Sequence, residues 1–248
     1  MAKKSKVANY KKKAPKAEKV HNLFDKSWDP LMKGQDEKRD KSYIRTIKPR
    51  SQGQAELMLS MKEENLTLAM GPAGTGKTYL AICAAVEAFE KGEVDRIILS
   101  RPAIEAGETI GYLPGDMQDK MAPYLRPLYD ALNDRLGMQK LKKLIDSGEI
   151  EIAPIGYMRG RTLNNAFVVI DEAQNCTYSQ IKMVLSRLGW HSTMVVTGDP
   201  DQSDLLDGIS GLSDMANKLE SVKGISVQRL KETDIVRHPL VAKMLEVI

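Results

Sequence analysis

The chain has 248 residues, of which 42% are hydrophobic and 28% are charged. A chain of this length and composition can bury a full core, so we expect one globular domain with an appendage. No apolar run approaches the roughly 20 residues that a membrane-spanning helix needs, and the basic start MAKKSK leads into more lysine instead of the apolar core of a signal peptide. These features argue against a membrane or secreted protein and predict a cytoplasmic one.

Positive charge is concentrated at the start of the chain. Residues 1–50 hold 16 Lys and Arg against 6 Asp and Glu, a net charge of +10, whereas the remaining residues hold 21 against 27, a net charge of −6. The start also lacks helical or strand periodicity, so we expect residues 1–48 to form a basic, flexible arm and residues 49–248 to form the folded domain. The arm is either an electrostatic contact for nucleic acid or a solubility or assembly tail, and both interpretations stay open.

Beyond the arm, apolar runs alternate with amphipathic segments. The predicted strands are 66–70, 96–100, 150–154, 167–171, 193–198 and 225–230. The predicted helices are 80–92, 117–134, 138–147, 178–188, 209–221 and 238–247. Several strands are continuous apolar runs, which are typical of a parallel sheet covered on both faces. The alternation therefore predicts a three-layer α/β domain with a mostly parallel sheet.

The first loop of this domain has the pattern of a phosphate-binding loop. GPAGTGKT fits the spacing GxxxxGK[ST] between a predicted strand and a predicted helix. In such a loop the backbone N–H groups and the helix N-terminus bind phosphates, Lys77 reaches the β- and γ-phosphates, and Thr78 ligates Mg²⁺. The predicted nucleotide contacts are Gly71, Pro72, Ala73, Gly74, Thr75, Gly76, Lys77, Thr78 and Tyr79.

Two further strands end in polar residues. FVVI is followed directly by Asp171 and Glu172, where we expect Asp171 to hold the metal through water and Glu172 to orient and deprotonate the attacking water. The strand at 193–198 is followed by DPDQ, which places Gln202 near the γ-phosphate as a sensor. Because carboxyl ends of parallel strands meet at one edge of a sheet, these residues predict a single site for ATP hydrolysis.

Other candidate residues carry weaker signals. Gln54 stands 17 residues before the phosphate-binding loop, where an amide could read the adenine edge. Cys83 and Cys176 have no CxxC spacing and are interpreted as reduced thiols. The three histidines are far apart in the sequence, so Mg²⁺ is the only metal that the sequence implies.

Longer stretches resemble a known family, the PhoH-like ATPases of the phosphate-starvation-inducible group. The resemblance covers about residues 50–248 and rests on GPAGTGKTYLA, SRPAIEAGETIGYLPGDMQDKMAPYLRPLYDAL, IAPIGYMRGRTLNNAFVVIDEAQN, MVVTGDPDQSDL and DIVRHPL. The compact build, with a short basic tail, is similar to versions encoded by bacteriophages, which would place the protein in the host cytoplasm.

The resemblance implies a RecA-like P-loop core related to the ATPase lobe of superfamily 1 helicases, and it implies ATP binding with helicase or RNA-related roles. The helicase-type motif positions are matched by Gln54, Lys77, Thr78, Asp171, Glu172 and Gln202. A second RecA lobe is not visible in the sequence. Because stepping along a strand needs an arginine from the opposite side of the cleft, we expect a homo-oligomeric ring, a hexamer, in which a neighbour supplies an arginine finger. The candidates are Arg187, Arg237, Arg159 and Arg161, of which Arg237 could equally act within its own subunit.

Nucleic acid contacts are expected from Arg101, Arg159 and Arg161, with Tyr112 or Tyr157 stacking on a base. The predicted helix 117–134 has apolar residues near helical spacing, and we interpret it as a packing or subunit interface. We therefore expect an ATPase coupled to RNA or single-stranded DNA. The alternative is a nucleotide-controlled switch or assembly partner of another protein such as a nuclease. A P-loop kinase is disfavoured, because Glu172 and the GDxxQ sequence suit water as the acceptor.

Overall fold

The computed structural model describes residues 47–102, 117–206, 208–236 and 244, and the side chains of 117–123 are not part of this description. Four predictions from the sequence therefore lie outside the described residues. They concern the basic arm up to residue 46, Tyr112, Arg237, and the helix 238–247 apart from residue 244.

The described chain contains six strands, six α-helices and three short 3-10 segments. The strands are β1 (Leu66–Met70), β2 (Arg96–Arg101), β3 (Ile150–Pro154), β4 (Ala166–Ile170), β5 (Thr193–Gly198) and β6 (Ile225–Arg229). The helices are α1 (Gln52–Glu63), α2 (Lys77–Glu90), α3 (Met117–Leu136), α4 (Met138–Asp146), α5 (Tyr178–Leu185) and α6 (Leu212–Leu219). The 3-10 segments are Ile155–Met158, Ala173–Asn175 and Glu232–Asp234. All six predicted strands are confirmed to within one residue at each end.

The six strands form one sheet in the order β3-β2-β4-β5-β1-β6, and every neighbouring pair is parallel. β5 lies between β1 and β4, although it follows both of them in the chain. Because all strands run in the same direction, the residues after β1, β2, β4 and β5 emerge at one edge of the sheet.

Helices cover both faces of the sheet, which confirms the predicted three-layer α/β architecture. Helices α1, α2, α3 and α4 pack on one face and α5 and α6 on the other. Strand β4 shows how the core is divided, because Phe167 and Val169 belong to the first core, whereas Val168 and Ile170 belong to the second. Alternate residues of a strand point to opposite faces. A strand that is buried on both faces is therefore largely apolar along its whole length.

Helix α1 was not predicted, because its first turn reads as a polar loop. The Ser51 side chain accepts a hydrogen bond from the Gln54 N–H and caps the helix, and Leu57 and Met61 are buried in the first core. A helix that begins with Gln-Gly-Gln gives little apolar periodicity, so its stability comes from the cap and from tertiary packing.

Several predicted helix boundaries were wrong. Helix α5 ends at Leu185 instead of residue 188, and α6 begins at Leu212 instead of residue 209 because Ser210 forms an isolated bridge with Thr177. Helix α3 continues to Leu136, where Gly137 with a φ of 74° ends it.

The apolar side chains of α3 were predicted to form either a packing surface within the chain or a subunit interface. Three of its apolar residues, Leu125, Leu128 and Leu132, are buried in the core of their own chain. They confirm the packing interpretation.

Candidate nucleotide-binding site

The loop between β1 and α2 has a backbone that requires glycine. Gly71 has a φ of 136°, and a Cβ atom there would lie 2.4 Å from the Leu230 carbonyl oxygen. Gly76, at the N-terminus of α2, has a φ of 84°, which only glycine adopts without strain. The loop is also tied to its neighbours, because the Gly71 N–H donates to the Gly198 carbonyl (3.2 Å) and the Val236 N–H donates to the Gly74 carbonyl (2.9 Å). These hydrogen bonds therefore fix the position of the loop at the carboxyl edge of the sheet.

Lys77 lies across this loop and is only 8% exposed. Its Nζ donates to the carbonyl oxygens of Gly71 (2.5 Å) and Pro72 (2.8 Å). Burial lowers the pKa of Lys77, and the negative charges of Asp199, Glu172 and Asp171 oppose that shift. The phosphates of a nucleotide would offer this buried ammonium group stronger, charged acceptors than backbone carbonyls.

Gln54 supports the loop from α1. Its side-chain amide donates to the Thr75 carbonyl (2.9 Å) and its oxygen accepts from the Arg50 N–H (2.9 Å), and the side chain is buried. Both ends of the amide are therefore bonded to backbone groups of the chain. Adenine recognition by Gln54 stays a prediction, and the structure adds a role in positioning the loop.

A cleft of about 1140 Å³ runs along the loop. Its lining includes residues 47–50, Tyr79, Asn133 and Asp134, and also Asp171, Glu172, Asp199 and Gln202. Most of the predicted nucleotide contacts line this cleft, including Ala73, Gly74, Gly76, Lys77, Thr78 and Tyr79. The cleft therefore brings the phosphate-binding loop together with the acidic residues that follow β4 and β5.

Asp171 is 2% exposed and lies at the centre of a polar network. Its Oδ1 accepts hydrogen bonds from the Thr78 and Thr197 hydroxyl groups, each at 2.6 Å. Its Oδ2 accepts from Arg101 Nε at 2.7 Å and forms an ion pair with Arg101 Nη2 at 2.5 Å. One hydroxyl and one carboxylate in contact are oxygen donors of the kind that Mg²⁺ prefers, with phosphate oxygens and water completing its shell. Thr78 and Asp171 therefore fit the predicted Mg²⁺ site.

Glu172 has a backbone φ of 57°, which is uncommon for a residue other than glycine and is found at functional sites. Its Oε2 accepts a 2.5 Å hydrogen bond from Gln174 Nε2, and Gln174 Oε1 accepts from the Asp199 N–H at 3.0 Å. Gln174 is 2% exposed, so this amide is fixed between the ends of β4 and β5. The sequence analysis gave Gln174 no role. The signal that could have identified it is its place in the sequence, two residues after Glu172.

Gln202 lies beside the acidic residues, as predicted. It is exposed, and its N–H donates to the Asp199 carbonyl at 3.1 Å. It also borders a second, smaller cleft of about 500 Å³, which shares Glu172 and Gln202 with the first and which we call the second cleft. This cleft is lined by Arg101, Pro102, Tyr124, Glu172, Gln174, Asn175, Gln202, Ser203 and Asp204. The γ-phosphate sensor role of Gln202 stays a prediction.

The predicted arginines are found in different surroundings. Arg101 lies inside the site, on Asp171 and 3.5 Å from Glu172, although it was expected to contact nucleic acid. Arg161 pairs with both oxygens of Glu151, at 2.6 and 2.7 Å, and this ion pair raises its pKa. Arg187 donates to the carbonyls of Met183 and Arg161 in its own chain.

Arg159 is exposed, and no side-chain hydrogen bond or ion pair within the described residues engages it. Among the described residues, no helix is long and apolar enough to cross a bilayer, and no cluster of three or more His, Cys, Asp or Glu side chains could hold a metal.

The fold of this chain is similar to that of a solved bacteriophage protein. The large terminase of a thermophilic bacteriophage superposes with a TM-score of 0.51, at 13% identity, over 80% of this chain and 49% of that one. A second structure of the same terminase, in complex with ADP, superposes with a TM-score of 0.50, over 80% and 50% of the two chains. At such low identity the likeness supports the fold alone.

Sequence comparison identifies much nearer relatives. A PhoH-like protein of Bacillus subtilis is 53% identical over 203 residues, which are 82% of this chain and 64% of that protein. Protein PhoH of Escherichia coli K12 is 42% identical over 210 residues, which are 84% of this chain and 59% of that protein. The chain thus matches about three fifths of the length of these relatives. The family described as PhoH-like protein matches residues 46–248. The chain therefore belongs to the PhoH-like protein family.

Proposed function

We propose that the protein binds ATP with Mg²⁺ and hydrolyses it, and that hydrolysis is coupled to RNA or single-stranded DNA. The observation that carries the proposal is that Lys77, Thr78, Asp171 and Glu172 line the same cleft. Phosphate-binding groups and paired carboxylates at the carboxyl ends of neighbouring parallel strands are the arrangement used by P-loop hydrolases. The bound ADP in the terminase structure of the same fold is consistent with a nucleotide in this cleft.

Each residue has a separate role in this proposal. The loop N–H groups and Lys77 bind the phosphates, and the buried ammonium of Lys77 neutralises charge that develops on the γ-phosphate. Thr78 and Asp171 hold Mg²⁺, which supplies a Lewis acid that polarises the phosphoryl oxygens when it is bound. Glu172 is 44% exposed, so its carboxylate can accept a proton from water that enters the cleft.

The nucleic acid part of the proposal rests on charge and position. The net charge of +10 on residues 1–50 suits an electrostatic contact with phosphates. The exposed Tyr157 and Arg159 follow β3 at the same edge of the sheet as the cleft, where an aromatic ring and an exposed guanidinium suit a single strand. A homo-oligomeric ring, with an arginine supplied by a neighbour, would complete the γ-phosphate site from the open side of the cleft.

Steady-state ATP hydrolysis tests the proposal, measured with Mg²⁺ and with or without single-stranded RNA and DNA. Glu172→Gln should bind ATP with wild-type affinity and hydrolyse it at least about a hundredfold more slowly, because it keeps the shape of the side chain and loses the base. Stimulation by one polymer, absent in the variant, would support the coupled ATPase and name its substrate.

Two results would contradict the catalytic and coupling parts of this proposal. Hydrolysis at the wild-type rate by Glu172→Gln would remove Glu172 as the base. Hydrolysis that neither polymer alters would contradict the nucleic acid coupling and favour a nucleotide-controlled switch with a protein partner. The ring has its own test, since a protein that stays monomeric with an ATP analogue and RNA at micromolar concentration would contradict it.

A further inference from the structure

We propose that Arg101 competes with Mg²⁺ for the Asp171 carboxylate, so that this arginine must leave Asp171 before the metal can be held there. We call the group of Arg101, Asp171 and Glu172 the latch. The inference rests on the proposed binding of Mg²⁺ and nucleotide, and it adds a residue that regulates metal entry to that site.

The sheet itself brings the latch residues together. Strands β2 and β4 are paired in parallel, with Ser100 in register with Ile170. The Asp171 N–H continues the pairing by donating to the Ser100 carbonyl at 2.8 Å. Arg101 therefore leaves β2 beside the point where Asp171 leaves β4. Its place next to the carboxylates follows from strand register and does not depend on a loop.

The contacts of Arg101 are numerous and largely shielded from solvent. Nε and Nη2 both bind Asp171 Oδ2, at 2.7 and 2.5 Å, and Nη2 lies 3.5 Å from Glu172 Oε1. Nη1 donates to the Tyr124 carbonyl of α3 at 2.9 Å. The Arg101 side chain is 15% exposed. A guanidinium held by two carboxylates and a helix carbonyl is a fixed positive charge at the acidic end of the cleft.

Simultaneous interaction of Mg²⁺ and Arg101 with the Asp171 carboxylate is electrostatically unfavourable. Thr78 and Thr197 already donate to Oδ1, so the guanidinium holds the other oxygen of the same carboxylate. A divalent cation within a few ångströms of a fixed guanidinium is repelled strongly where solvent screening is weak. Asp171 is 2% exposed, so screening by water is poor at this point. Oδ2 is therefore open to the metal, or to a water molecule on the metal, only when Arg101 withdraws from it.

The structure also offers a place for the withdrawn side chain. Arg101 lines the second cleft, whose lining includes none of residues 71–78 of the phosphate-binding loop. Glu172 and Tyr124 line the same cleft, so a guanidinium that moved into it would leave Asp171 and stay near Glu172. The latch thus links metal entry to helix α3, which also borders the nucleotide cleft through Asn133 and Asp134.

The test measures metal affinity without relying on hydrolysis. ADP binding is titrated at a series of Mg²⁺ concentrations and in EDTA, and Mn²⁺ binding to the protein alone is followed by electron paramagnetic resonance. The variants are Arg101→Gln and Arg101→Lys. The matched control is Arg96→Gln, which removes an exposed guanidinium from the opposite end of β2, where it donates to the Asn164 carbonyl.

In Arg101→Gln, the Mg²⁺ concentration that half-saturates ADP binding should fall about tenfold, and Mn²⁺ should bind more tightly by a similar factor, because the competing charge is gone. Arg101→Lys keeps the charge but cannot make the paired contacts of a guanidinium, so its metal requirement should fall at least about threefold. Arg96→Gln should match the wild type. The dependence on Mg²⁺ separates this effect from a general loss of attraction for phosphates, which would also weaken ADP binding in EDTA.

An unchanged or increased metal requirement in Arg101→Gln would overturn the proposal. If circular dichroism shows that Arg101→Gln does not fold, Arg101→Lys decides, and a metal requirement equal to or above the wild type would overturn the proposal in the same way. Failure of the proposed function gives a different result, since a protein that never hydrolyses ATP would still show the predicted change in Mn²⁺ affinity.

Discussion

Replacing Gln174 with methionine would remove the two hydrogen bonds that fix Glu172 relative to the end of β5. Gln174 Nε2 donates to Glu172 Oε2 at 2.5 Å, and Gln174 Oε1 accepts from the Asp199 N–H at 3.0 Å. Methionine has a similar length and no amide. The substitution therefore tests whether this buried amide positions the proposed base, with little change in side-chain volume.

The expected loss of stability follows from burial. The Asp199 N–H would be left without a partner in a buried position, which costs about 1–3 kcal/mol. The lost bond to Glu172 would cost less, because Glu172 is 44% exposed and water can replace the amide. We therefore expect the free energy of unfolding, measured in urea, to fall by about 2–3 kcal/mol.

The expected loss of activity is larger than this stability change would produce. Without its amide donor, the Glu172 carboxylate samples several rotamers, and a displacement of about 1 Å at a reacting group can cost about a hundredfold in rate. We expect ATP hydrolysis by Gln174→Met to fall between about tenfold and a hundredfold, with ATP affinity close to the wild type.

Gln52→Met provides the matched control. Gln52 is exposed on α1, and its amide donates to the Glu56 carboxylate at 2.9 Å, the same type of bond away from the cleft. The Gln52→Met substitution should change the free energy of unfolding by less than about 0.5 kcal/mol and leave the rate of ATP hydrolysis unchanged. Wild-type hydrolysis by folded Gln174→Met would show that Gln174 does not position Glu172 for the reaction.

Two further predictions concern buried titratable groups. Hydrogen bonds from the Lys231 N–H and then from the Ser51 hydroxyl hold the pKa of Asp234 below its ordinary value of 3.8. The ionised Asp234 therefore stabilises the fold above about pH 4, and this contribution is lost as the pH falls through the lowered pKa. Asp234→Asn should therefore lower the free energy of unfolding by about 1 kcal/mol at pH 7, and a difference from the wild type that persists undiminished at pH 3 would contradict this account. Burial raises the pKa of the thiols of Cys83 and Cys176 to about 12. A disulfide reagent at pH 8 should therefore label the native protein at least about a hundredfold more slowly than the urea-unfolded chain. Rapid labelling of the native protein would show that one of the two thiols is accessible.

Elements with a contiguous signal could be predicted from the sequence. Strands β1, β2, β4 and β5 are short, largely apolar runs, and the loop at residues 71–78 has a fixed spacing of glycines and lysine, so these elements were predicted to within a residue. The expected meeting of Lys77, Asp171 and Glu172 followed from the same patterns, because polar residues at the ends of parallel strands share one edge of the sheet.

The way in which distant segments complete the site depends on the order of the strands in the sheet. Arg101 and Asp171 are 70 residues apart, and the spacing of residues gives no sign of their contact, which depends on β2 and β4 being neighbours in register. The role of Gln174 depends in the same way on β5 lying next to β4. Helix α1 has weak periodicity and is held by its cap and its packing. Local patterns specify local structure, whereas strand order sets which polar side chains meet, and strand order is fixed by packing over the whole domain.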